Sequence, residues 1–314
     1  MEILDLQEAL ELDRVSRGSV LIQATPQIRQ GKKNPFMIGD FMTADGTAPF
    51  KIWEERIYDA VREHGTGIYD VEVCGSDFNG SYLTVRKIAP TADAALKTSD
   101  FLPAIPRERL VSLWQKAFAR LGEQGVSAKA IELIKKLMDA PELQGRFPVE
   151  GAAIYHHDNK IGGLMHHTGK MLNLLAAVLD NTPELGASAD LLTVGIALHD
   201  VGKVFEYYNL GLGAYWYANH RIRGIEFLAV HKETITAAYD ERFYRHLQAI
   251  VAGHHGEFGD RPATVATAIV HYIDTLDAQV TGFVEAEEAT PGDRLRFQDW
   301  GWLEPTPLGL VKKN

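Results

Sequence analysis

A chain of 314 residues with 46% hydrophobic and 24% charged residues has an ordinary globular composition and enough length for two domains, which excludes a wholly disordered or low-complexity protein. Its net charge of -10 argues against a general polyanion-binding surface, so any nucleic-acid binding has to be local or metal-assisted. The lone cysteine, Cys74, excludes an intrachain disulfide, no apolar run reaches the roughly 18 residues of a membrane span, and the acidic start MEILDLQEALELD lacks the pattern of a secretory signal, so a reducing cytoplasm is the expected compartment.

After an N-terminal segment, residues 1–17, the region 18–89 reads as five short strands: GSVLIQA, PFMIGDFMT, APFKIW, GIYDVEVCG and SYLTVRKI. A helical insert, WEERIYDAVREHG, separates the third from the fourth, the position where five-stranded OB barrels often carry one. Such barrels bind single strands by stacking bases on aromatics beside cations that track the backbone. The candidate rings are Phe36, Phe41, Phe50, Trp53, Phe78 and Tyr82, and the candidate cations Lys32, Lys33, Lys51, Arg86 and Lys87. Strand alternation sends Phe50 and Ile52 to one face and Lys51 and Trp53 to the other, which makes Lys51 and Trp53 the exposed pair. Residues 1–90 hold 10 Lys plus Arg against 14 Asp plus Glu, so a grip on nucleic acid rests on local groups.

Residues 90–105, rich in Ala, Thr, Asp and Pro without a period, read as a linker. Helical periodicity then begins, with Pro106 at a first helical position and Leu110, Leu113, Trp114, Ala117, Phe118 and Leu121 on one face. Further helices are predicted at about 127–139, 163–181, 187–202, 217–232, 240–253 and 262–283. With no strand signal among them, residues 106–284 are expected to form an all-α bundle after the small N-terminal β-barrel. The tail, 285–314, mixes turn formers with aromatics and carries no assignment.

Chemistry concentrates in the histidines, 12 in all. His166 and His167, the run His199-Asp200-Val201-Gly202-Lys203, His220, the pair His254-His255, and Asp274 with Asp277 each fall in a predicted helix or at its end. Adjacent His199 and Asp200 diverge by about 100° on a helix, so they share one ion only if other helices converge on it. His167 and Asp274 complete a set of two imidazoles and two carboxylates, which suits Mn, Fe, Co, Ni or Zn. His220, His254 and His255 remain, and Asp200 has a second oxygen. Two metals bridged by that carboxylate, about 3.5 to 4 Å apart, make a site suited to phosphoryl transfer. Lys203, three residues after Asp200 and on its face, is placed to neutralise a phosphate oxygen, so Asp200 and Lys203 are the expected catalytic groups. His255 and Asp277 stand at the margin of the set, and His64, His231 and His246 read as ordinary histidines.

These motifs resemble the HD-domain superfamily of metal-dependent phosphohydrolases. More narrowly, HHDNKIGGLMHHTGKMLNLL, LHDVGKVFEY, NHRIRGIEFL, GHHGEFG and HYIDTLDAQV, preceded by KNPFMIGDFMTADGTAPFKIWEE and YDVEVCGSDFNGSYLTVRKI, are similar to the YhaM-type 3′-to-5′ exoribonucleases, in which an OB-fold precedes the HD domain. The likeness spans about residues 18–283. It implies a first metal on His167, His199, Asp200 and Asp274, a second on Asp200, His220 and His254 with His255 close by, and Lys203 as the HDxGK lysine. It further implies two manganese-type divalent ions and a single-stranded RNA substrate with single-stranded DNA as a second one; with no membrane span, no membrane association is expected, and a homo-oligomer is left open. Three other readings of the residues remain. The same metals could serve a nucleotide or cyclic-nucleotide phosphohydrolase or a di-iron oxygenase, and the protein could be a nucleic-acid-binding adaptor with an idle HD domain.

Overall fold

The computed structural model describes residues 1–314 apart from 32–33, 79, 154–157, 257–260, 290–293, 298–299 and 306–314. It divides into two compact units, Met1–Ala104 and Ile105–Asn314.

The first unit opens on one helical turn, α1 (Leu6–Ala9), capped by the Asp5 carboxylate, which accepts from the Glu8 N–H at 2.9 Å. Then come β1 (Val15–Ile22), β2 (Gln27–Gln30), β3 (Pro35–Thr43), β4 (Gly46–Ile52), α2 (Glu55–His64), β5 (Gly67–Asp77) and β6 (Ser81–Pro90). They form one sheet in the order β1-β5-β6-β4-β3-β2, and β1 also meets β3 through Leu21 and Met42, so the pairings lead from β1 round to β3 and back. All are antiparallel except β4 with β6. Alternation buries Phe50 and Ile52 and exposes Trp53, but Lys51, expected to be exposed with it, is half-buried. Phe41 and Phe50 stack on each other in the core, centroids 4.2 Å apart, and Tyr82 is buried as well, which removes all three from the candidate base-stacking rings. The sequence reading missed β2 because all four of its residues are exposed and show no apolar alternation. Nor are the flanks bare: Leu4, Leu6 and Ala9 are buried, and the stretch read as a linker contains a 3-10 turn, Thr98–Phe101, with Phe101 and Leu102 buried.

The second unit is mostly helical: α3 (Arg107–Glu123), α4 (Ala128–Met138), α5 (Gly163–Asn181), α6 (Ala189–Leu198), α7 (Lys203–Glu206), α8 (His220–Val230), α9 (Lys232–Ala238), α10 (Glu241–Gly253) and α11 (Val265–Ala289). Every residue from Leu192 to Leu198 is buried, so this stretch of α6 runs through the core, and only its first turn, at Asp190 and Leu191, is half-exposed. Around it, α3 lies on α5 through Leu110, Trp114, Ala117 and Leu121, and the Trp114 indole donates to the Met165 carbonyl at 2.8 Å. The helix expected over 187–202 stops at Leu198 and restarts at Lys203, which leaves His199 to Gly202 as the corner between them. The all-α expectation for 106–284 needs one small addition, the ribbon of β7 (Tyr207–Tyr208) with β8 (Gly211–Leu212), and the unassigned tail holds a second ribbon, β9 (Leu295–Phe297) with β10 (Gly301–Leu303). The first is too short to leave a periodic signal. No helix among the described residues is long and apolar enough to cross a membrane.

Asp190, at the start of α6, ties three helices together. Its carboxylate accepts from the Ser127 N–H and hydroxyl at 2.8 and 2.6 Å and from the Tyr239 hydroxyl at 2.7 Å. Burial pushes its pKa up, but these donors outweigh it and leave the carboxyl below its usual value. Asp190→Ala is therefore expected to cost about 2 kcal/mol at neutral pH in urea melts, partial exposure having been allowed for. A depressed pKa gives stability that is complete above the unfolded value, about 3.9, and is lost as pH falls through the folded one, so the gap should narrow toward pH 3. A gap of equal size at both pH values would contradict this role.

Candidate metal centre

The corner after α6 presents His199 and Asp200 to the core, and both are buried. Asp200 aims its two oxygens in two directions. Oδ2 lies 3.2 Å from His199 Nε2, while Oδ1 lies 3.3 Å from His254 Nε2 and 3.6 Å from His220 Nε2. Two groups of donor atoms result, each within 4.8 Å of one another: His167, His199 and Asp274 on one side, and Asp200, His220, His254 and His255 on the other. All seven residues singled out as ligands from the sequence thus come together, from α5, the α6 corner, α8, the end of α10 and α11.

The hydrogen bonds explain which nitrogen faces inward. Nδ1 of His199 bonds the Ile196 carbonyl at 2.7 Å, Nδ1 of His254 the Val251 carbonyl at 3.0 Å, Nδ1 of His220 Glu206 at 2.6 Å, and Nδ1 of His167 Asp277 at 2.7 Å. An acceptor on Nδ1 fixes its proton there and leaves Nε2 as a lone pair. His199 Nε2, His254 Nε2 and Asp200 Oδ1 are buried with no hydrogen-bond partner among the described residues. Acceptors facing acceptors in a dry site cost about 1–3 kcal/mol each. A cation resolves that conflict, and this donor set fits one.

Protonation states agree. Burial lowers the His254 pKa, and burial with the neighbouring His254 and His220 pushes His255 down to about 3. Burial works against ionisation of Asp200, but Lys203 and His199 hold its carboxyl well below the usual range. His167 goes the other way: burial would lower it, yet Asp274 and Asp277 carry it up to about 9. Without a cation, His167 holds a proton between two carboxylates.

Lys203 keeps its ammonium on Asp200 Oδ2 at 2.5 Å and on the Ala152 carbonyl at 2.6 Å, and the Asp200 charge outweighs burial in raising its pKa. Residues the sequence did not single out support the ligands. Glu206, buried in α7, accepts from both the N–H and Nδ1 of His220 at 2.8 and 2.6 Å. Behind His167, Lys170 bridges Asp277 and Asp158 at 3.0 and 2.8 Å, and Asp158 also pairs with His166 at 2.9 Å. This third acidic group, Asp158, His167 and Asp277, already contains its cation.

In the first unit, Trp53 is 45% exposed and leans on Phe36 with centroids 4.7 Å apart, and the Lys51 ammonium sits 3.6 Å over the Tyr82 ring. Phe78 is exposed, and so is Arg86, which occupies the bulge between the Glu72–Lys87 and Val73–Val85 pairs. Lys87 pairs with Glu72 at 3.3 Å. Lys32 and Lys33 lie outside the described residues.

Proteins named 3′-5′ exoribonuclease YhaM align with this chain. Those of Bacillus subtilis and Bacillus licheniformis are each 27% identical over 289 residues, 87% of this chain and 88% of their own. That of a Geobacillus species is 30% identical over 218 residues, 63% of this chain and 62% of its own. The chain is similar to the YhaM exoribonucleases over most of its length. An aligned share of 87% exceeds either compact unit alone, so the YhaM likeness takes in both. No family model matches the chain, and no solved structure does.

Proposed function

We propose that this protein is a metal-dependent 3′-to-5′ exoribonuclease acting on single-stranded RNA in the cytoplasm, with single-stranded DNA as a second substrate. Residues 18–89 are read as an OB-type barrel that holds the strand and residues 106–284 as an HD-type domain that cuts it. The observation that carries the proposal is Asp200, one carboxylate with an oxygen toward each of two imidazole clusters. The YhaM relatives, named as 3′-5′ exoribonucleases, supply the substrate and the direction. The ring of strand pairings, with a parallel β4–β6 and a helix ahead of β5, supports the barrel.

On this reading His167, His199, Asp200 and Asp274 hold one ion, and Asp200, His220 and His254, with His255 beside them, hold a second. Divalent ions there, manganese in our reading, supply Lewis acidity to a phosphoryl oxygen and lower the pKa of water. Glu206 and Asp277 keep the imidazole rings of His220 and His167 turned inward. Lys203 puts a fixed positive charge beside the scissile phosphate, where charge grows in the transition state. Lys51 and Trp53 offer the strand a cation and a stacking ring.

The test is to strip the protein of metal and add back one divalent ion at a time over 5′-labelled and 3′-labelled oligoribonucleotides. A 3′-to-5′ exonuclease shortens the 5′-labelled strand as a ladder and releases label from the 3′-labelled strand as mononucleotide at once. Cleavage of free nucleotides alone would favour a nucleotidase, and binding without cleavage an adaptor.

Deleting residues 1–103 separates holding from cutting. The remainder is expected to retain hydrolysis of bis-p-nitrophenyl phosphate, since every proposed ligand lies between His167 and Asp274. Its kcat/KM on a long oligoribonucleotide should fall about thirtyfold, the equivalent of two lost stacking contacts at about 1 kcal/mol each. Equal efficiency of the full and shortened chains on the long strand would remove the barrel from the substrate path.

A further inference from the structure

Between Glu206 and His220 the chain leaves the core and returns, and the departure is tied off at its base. Glu206 accepts from the His220 N–H at 2.8 Å and from His220 Nδ1 at 2.6 Å, and its carbonyl accepts from the Gly213 N–H at 2.8 Å. The intervening segment, YYNLGLGAYWYAN, has no charged residue. It exposes four large aromatic side chains: Tyr208 at 62%, Tyr215 at 62%, Trp216 at 53% and Tyr217 at 68%.

Its shape is held. The two-residue turn of β7–β8 puts Asn209 and Leu210 at φ of 51° and 61°, a left-handed conformation that a leucine rarely adopts. Leu210 adopts it with its side chain 2% exposed, so the turn is pinned inward while Tyr208 stays outside. The Arg146 guanidinium lies 5.4 Å over the Tyr208 ring. Tyr215 and Tyr217 meet edge to face at 6.3 Å and 88°, and Trp216 and Tyr217 at 6.4 Å and 73°, so these rings do not cover one another face to face.

We propose that residues 208–217 form a stacking platform for the bases next to the 3′ end of a single-stranded RNA, on the rim of the centre that cuts it. The proposal rests on the exoribonuclease reading and names the part of the site that grips the strand's end. Aromatic faces stack on any base, which suits an enzyme that removes nucleotides of every sequence. The lack of charge is consistent with a division of labour: phosphates are met at Lys203 and the ligand clusters, bases on the rings. Because His220 is both a cluster member and the anchor of the loop, the rings at 215–217 enter the chain within five residues of a cluster member.

The test uses the full-length protein. With metal removed by EDTA, binding of a 5′-fluorescein hexauridylate is followed by anisotropy. The double variant Tyr215→Ala, Trp216→Ala is expected to raise Kd about tenfold or more, and Tyr215→Phe, Trp216→Phe to restore it to within about twofold. With manganese added, KM on the same strand should rise by a similar factor in the alanine variant, with kcat changing far less. An unchanged Kd in the alanine variant, an equal defect in the phenylalanine variant, or a wild type that does not bind would each overturn the platform. An unchanged Kd with a smaller mass by light scattering would also overturn it, and would make these rings a contact between copies of the chain. Metal-free binding needs no cleavage. A wild type that binds through these rings but does not cut from the 3′ end would leave the platform standing and sink the exonuclease reading.

Discussion

Asp200→Asn is expected to lower hydrolysis of any phosphodiester about a thousandfold while the helical circular dichroism stays unchanged. One oxygen of Asp200 faces His199 and the other faces His254 and His220, so a neutral amide weakens both clusters at once. A thousandfold corresponds to about 4 kcal/mol, the scale of transition-state charge stabilisation that bound metals supply. Bound metal should fall in parallel. Retention of more than a few per cent of wild-type turnover would sink the bridging role.

Gly202→Ala tests the corner itself. A Cβ on Gly202 would stand 1.8 Å from the His220 carbonyl oxygen and 2.6 Å from the Gly224 N, both main-chain atoms that no rotamer change can clear. Helices α7 and α8 would have to separate, taking His220 away from Asp200 and Glu206. Turnover is expected to drop about a hundredfold and the melting temperature by roughly 5–10 °C, from overpacking of about 3 kcal/mol. Gly186→Ala, which meets nothing within 4 Å, is the control and should change neither. A Gly202→Ala protein with native activity would show that α8 need not sit so close.

Legibility differed between ligands and their supports. Histidines clustered in successive helices, with carboxylates beside them, are uncommon enough that His167, His199, Asp200, His220, His254 and Asp274 could be picked from the sequence, and the fold assembles them. The groups that aim them left almost no trace. His199 and His254 are oriented by the carbonyls of Ile196 and Val251, which belong to the main chain and have no residue signature. Glu206 supports a histidine 14 positions away, across a loop whose closure no local period reveals. In the first unit the same contrast holds. Strands with one buried face, such as APFKI in β4, announce themselves, whereas QIRQ in β2 is exposed throughout and pairs with β3 without alternation. Phe101 and Leu102 were hidden for a related reason, since two buried residues make no period.

Helix α6 has a consequence for when the centre comes into being. The donor atoms are strewn along the chain from His167 to Asp274 and meet only because α5, α10 and α11 pack on α6 and α8 packs on α10. A half-made or partly melted chain holds isolated histidines and aspartates, none of which cuts anything. Activity is therefore licensed by completion of the bundle.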